Sequence, residues 1–118
     1  MQVLDISFLA ELTALRRDIH AHPELAFDEA RTADIVAREL ARYGLEVHRG
    51  IARTGVVGVL KNGSSPRSIG LRADMDALPM DEKNEFPHRS RHEGKMHACG
   101  HDGHTALLLG AARWLAEQ

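Results

Sequence analysis

The feature that most constrains this chain is a change of hydrophobic period at Gly44. Before it, Ala30, Ala33, Ile35, Val36, Leu40 and Ala41 recur at helical spacing, Asp28 stands as a candidate N-cap, and Gly44 occupies the place of a left-handed C-cap. After it, Leu45, Val47 and the run Val56-Val57-Gly58-Val59-Leu60 are short, β-rich and separated by glycine and polar residues. A helical stripe followed directly by strand-like runs predicts a layered α/β domain. A first helix is expected from Asp5 to about His20, where Leu9, Leu12, Leu15 and Ile19 share a face, and a last one from Thr105 to Glu117. The turn formers Asn62-Gly63-Ser64-Ser65-Pro66 lead into Ser68 to Ala73, which predicts a further strand and a hairpin there. From Pro79 to Lys95 no periodicity is visible, and a loop over the functional site is expected.

At 118 residues the chain suits one domain. Its content of 43% hydrophobic and 27% charged residues is that of a globular protein, and no apolar run reaches the roughly 18 residues that span a bilayer. The stretch Met1 to Ile6 shows no basic leader or cleavage pattern, so a cytoplasmic setting is expected, without membrane association. A formal charge of −2, with basic residues scattered among acidic ones and few aromatics, argues against nucleic acid as a partner. A single cysteine, Cys99, excludes an internal disulfide.

Histidine is the outlier. Five of the eight histidines, His88, His92, His97, His101 and His104, fall within 17 residues, which points to metal or acid-base chemistry. Cys99 and His101 are separated by one glycine, a spacing that lets a thiolate and an imidazole converge on one cation where the backbone turns sharply. Asp102 and His104 follow at once, and either is a possible ligand or a group that holds an imidazole in its tautomer, as is His97. A lone cysteine beside a histidine is usually a small hydrophobe, but four candidate donors in six residues favour a metal site.

A second feature is Arg72-Ala73-Asp74-Met75-Asp76-Ala77-Leu78-Pro79, a strand running into two carboxylates. Asp74 and Asp76 are expected to face apart unless the chain bends between them, and so to have different roles; capping or turning the chain is the plainer reading of either. His20 and His22 read as residues at a helix terminus, Glu24 and Glu29 as helix-entry charges, and His88 and His92 as solvated loop residues.

Taken together, the stretches Leu15 to Leu25, Thr54 to Gly58, Leu71 to Pro79 and Met96 to Ala106 resemble the M20 metallopeptidase and amidohydrolase family, in particular its hippurate hydrolase-like N-acyl-amino-acid amidohydrolase branch. The resemblance implies a zinc-peptidase-like catalytic domain with helices packed on a mixed β-sheet and two divalent metal ions, zinc, manganese, cobalt or nickel, cleaving the amide bond of small N-acyl amino acids. By position, Cys99 and His101 look like metal ligands and Asp76 like a carboxylate supporting the metal-site geometry. His104 belongs to the same motif, and Asp74 stands where other branches carry a ligand histidine. In the family the metals polarise the scissile carbonyl and activate water while a glutamate takes its proton.

That glutamate, the remaining ligands and an inserted lid domain lie later in the family than residue 118. The expectation is therefore that residues 1–118 are the amino-terminal portion of a longer enzyme, inactive or nearly so alone, with an exposed edge that favours homo-oligomers. The alternative is a small non-catalytic metal-binding or interaction domain built on Cys99 and His101. A cysteine nucleophile with a histidine base ranks last.

Overall fold

The computed structural model describes residues 5–118; the expectation about the first four residues lies outside them. Helix α1 spans Ile6–Ala21, α2 Ala30–Arg42 and α3 His101–Ala116, and strands β1 (Glu46–Ile51) and β2 (Gly55–Val59) form an antiparallel hairpin. No helix among the described residues is long and apolar enough to cross a membrane.

Asp5 caps α1 by accepting the Phe8 amide at 2.7 Å. The cap of α2 differs from the Asp28 expected. Glu29 holds the N-cap position without a side-chain cap bond, and the leading amides are satisfied from outside the helix. Glu24 Oε1 accepts from the Thr32 amide and hydroxyl, both at 2.7 Å, and Oε2 from the Arg31 amide at 2.9 Å. A longer side chain on the preceding loop thus does the work of a local cap. Glu29 turns back instead, accepting from the Phe27 amide at 2.9 Å and from the Thr54 hydroxyl of the hairpin turn.

The hairpin closes at residues 52–54, where Ala52 and Arg53 have φ of 49° and 82°. Gly50, at φ 75°, sits where the register shifts between Arg49 and Ile51. This kink adds twist to the ribbon. The turn-forming stretch Asn62 to Pro66 closes no hairpin, and residues 68–73 are not a strand. A strand needs a neighbour to receive its hydrogen bonds, and among the described residues this segment has none: Ile69 and Leu71 are exposed. The sheet of the described residues is therefore two-stranded and antiparallel; the parallel pairing of a mixed sheet does not occur within it.

The core forms where α2 and α3 meet the hairpin. Val36, Leu40 and Leu109 are buried at its centre, with Leu15, Tyr43, Leu45, Val47, Val56, Met75 and Ala112 packed around them. Gly110 lets α1 approach α3 closely, since a Cβ there would meet Leu12 Cδ1 at 2.7 Å. Residues 79–95 form an irregular loop, as expected, anchored by a bridge between Leu78 and Met96 and by the Arg91 amide donating to the Ala21 carbonyl at 2.9 Å.

Candidate metal centre

The site lies where the extended segment 74–78 passes the amino end of α3. That helix begins four residues earlier than its Ala- and Leu-rich stretch suggests. Gly100 adopts φ 88° at its N-cap, a conformation that costs glycine little, so His101, Asp102 and His104 all fall in the first turn. The segment is held through its own backbone groups: the Ala77 amide donates to the Glu24 carbonyl at 2.8 Å, and the Asp74 carbonyl accepts from the Thr105 side-chain hydroxyl at 3.0 Å.

Asp74 and Asp76 do not face apart. Residues two positions apart on an extended chain share a face, and here Met75 turns into the core while both carboxylates turn to His101. One side-chain oxygen or nitrogen from each of Asp74, Asp76 and His101 lies within 4.8 Å of the others. His101 Nδ1 is 2.9 Å from Asp76 Oδ1 and 3.0 Å from the Asp76 carbonyl oxygen, while Nε2 is 3.8 Å from Asp74 Oδ2. Asp74 also takes the Arg72 guanidinium at 2.7 Å.

This donor set fits a divalent cation. Two carboxylates and an imidazole are ligands that first-row divalent metals accept, and an imidazole that donates Nδ1–H to a carboxylate presents Nε2 as a free lone pair. Cys99, two residues before His101, carries an exposed thiol and stands outside the group of three. His104 is exposed, with its ring centroid 5.6 Å from that of His101.

Asp102 and His97 lie deeper. Asp102 Oδ2 accepts from Arg16 at 3.1 Å and is 2.9 Å from His20 Nδ1. His97 is buried with neither ring nitrogen hydrogen-bonded to the described residues. Burial pushes its pKa below the ordinary imidazole value, against a smaller upward pull from Asp102.

His20 and Glu82 meet in the fold without any local sequence signal that pairs them. His20, read as a helix-terminal residue, is buried 6.4 Å from the ring of His97, and its Nε2 sits 3.0 Å from Glu82 Oε2. Glu82 stands in the aperiodic loop, where no pattern marks it as buried. Desolvation raises the Glu82 carboxyl pKa, but hydrogen bonds from His20, Asn84 and the Ser90 amide outweigh it and leave the group below its ordinary value. His88, expected to be solvated, is half-buried and stacks on Phe86 with centroids 4.0 Å apart. His92 is exposed.

The profile of Peptidase family M20/M25/M40 matches residues 70–118. A hippurate hydrolase of Campylobacter jejuni is 54% identical over 117 residues, 99% of this chain and 30% of the relative. An N-acyl-L-amino acid amidohydrolase of Geobacillus stearothermophilus is 49% identical over 104 residues, 87% of this chain and 28% of the relative. Among solved structures, the Bacillus subtilis YXEP protein, described as a dinuclear metal binding peptidase from the M20 family, superposes with a TM-score of 0.91 at 40% identity, over 96% of this chain and 32% of that one. The chain thus spans less than a third of the length of the curated relatives it matches.

Proposed function

We propose that this chain belongs to peptidase family M20, and that residues 1–118 are a portion of the catalytic domain of a metal-dependent hydrolase acting on C–N bonds. The substrate class is small N-acyl amino acids, by likeness to the hippurate hydrolase and the N-acyl-L-amino acid amidohydrolase. The observation that carries the reading is the convergence of Asp74, Asp76 and His101 at the first turn of α3.

In this reading His101 is a metal ligand through Nε2 and Cys99 a second ligand two residues before it. Asp76 is the supporting carboxylate: it holds the Nδ1–H tautomer of His101 and fixes the ring's direction. Asp74, on the Nε2 side, adds negative charge that favours a cation there. His104, His97 and Asp102 surround these groups without joining the three. Divalent metal ions, zinc, manganese, cobalt or nickel, supply Lewis acidity and a lowered pKa for bound water when present.

The test is release of free amino acid from N-acyl amino acids such as hippurate, by the protein carrying these residues and by its His101→Ala and Asp76→Ala variants. Hydrolysis that needs added divalent metal and is lost with His101→Ala supports the reading. Hydrolysis that survives chelation or the loss of His101 contradicts it. The second reading, a non-catalytic metal-binding domain, is favoured by stoichiometric zinc binding without any hydrolysis.

A further inference from the structure

The side chains of Glu82, His20 and Asp102 form a buried row that runs from the 79–95 loop to the first turn of α3, with side-chain exposures of 1%, 7% and 4%. Asp102 Oδ2 is 2.9 Å from His20 Nδ1, and the two oxygens of Glu82 are 3.0 and 3.1 Å from His20 Nε2. Each ring nitrogen of His20 thus lies within hydrogen-bond distance of a carboxylate. Each carboxylate has further support: Arg16 on Asp102, and Asn84 at 2.9 Å and the Ser90 amide at 2.6 Å on Glu82. Buried polar groups held this way are costly to leave without partners, so their geometry is narrowly fixed.

Asp102 follows His101 directly in the first turn of α3, and successive helical residues point about 100° apart. A clamp on Asp102 therefore fixes the rotation of that turn without competing for the His101 ring. At its other end, Glu82 belongs to the 79–95 loop, so one imidazole ties α1, the loop and α3 together. We propose that His20 is a positioning residue: its Nδ1 contact to Asp102 holds the first turn of α3, and with it the direction of His101, while its Nε2 contact to Glu82 anchors the loop. The inference rests on the reading of His101 as a metal ligand.

Two substitutions separate the contacts, because an Asn amide nitrogen overlies Nδ1 of a histidine and a Gln amide nitrogen overlies Nε2. His20→Asn keeps the donor to Asp102, and His20→Gln keeps the donor to Glu82. Two readouts apply: zinc affinity by calorimetry, and hydrogen exchange of the His104 amide, which donates to the Gly100 carbonyl at 3.1 Å in the turn concerned. With His20→Asn, zinc affinity is expected within about threefold of wild type and exchange unchanged. With His20→Gln, affinity is expected to fall by at least about tenfold, within the range for groups that orient a ligand, and exchange to quicken by a similar factor.

Equal effects of the two variants, in proportion to their melting temperatures, would overturn the proposal and leave His20 a general stabiliser. If wild type takes no zinc, the metal reading fails, and the exchange comparison without metal still decides the role of His20. If the variants do not fold, the ring nitrogen resonances of wild-type His20 are followed as zinc chloride is added. Movement together with those of His101 is expected; a His101 response with His20 static contradicts the proposal.

Discussion

His101 donates Nδ1–H to Asp76 Oδ1 at 2.9 Å, which leaves Nε2 as the only ring nitrogen free to meet a cation. Asp76→Ala removes the oxygen that fixes this orientation. Metal affinity is expected to fall by about 10- to 100-fold with little change in stability, since both side chains are partly exposed. Calorimetric titration with zinc and urea unfolding of the same variant separate the two effects.

Cys99 is exposed, so its thiol is expected to react rapidly with a disulfide reagent in the metal-free protein. If it shares a cation with His101, saturating zinc slows that reaction by more than about tenfold. The measurement is the rate of thiol modification at increasing zinc; a rate independent of metal removes Cys99 from the ligand set.

Glu24 supplies the cap that α2 lacks locally, through the Arg31 and Thr32 amides. Glu24→Ala is expected to cost about 1 to 2 kcal/mol of stability. Because Glu24 lies outside the group of three, zinc affinity is expected to hold. Denaturant midpoints and a zinc titration check the two halves.

The elements were legible where the pattern was local. The stripe from Ala30 to Ala41 and the strand runs around Val47 and Val56 give the α2 and hairpin architecture, because burial repeats at the period of each element. Residues 68–73 read as a strand from composition alone, yet a strand exists only with a partner, which composition does not report. Of the candidate site, the cluster of potential donors between residues 97 and 104 is visible in the sequence. Asp74 and Asp76 were visible as chemistry, but their shared direction depends on Met75 entering the core. His20 and Glu82 are 62 residues apart in sequence, and only the fold of an aperiodic loop brings them together.

Leu109 is 2% exposed at the contact of α3 with Val36 and Leu40. Leu109→Ala leaves a cavity at the centre of the core and is expected to cost about 2 to 5 kcal/mol. Thermal unfolding followed by circular dichroism measures the loss.

Glu82 gives the protein an acid limb. Its carboxyl is held below the ordinary value of 4.5 by bonds from His20, Asn84 and Ser90. A group depressed in the folded state contributes stability that is present above its unfolded pKa and is lost as pH falls through the folded one. Stability is therefore expected to decline as pH drops below about 4.5. Urea unfolding across that range is expected to show a shallower decline in Glu82→Gln, from a lower starting stability.

The first turn of α3 is expected to carry a divalent-metal site. Zinc titration of the protein and its His101→Ala variant, with exposed His48→Ala as control, tests it most directly. Saturable binding that weakens by more than about tenfold in His101→Ala and is unchanged in His48→Ala is predicted. Equal binding by wild type and His101→Ala, or none by wild type, would contradict it.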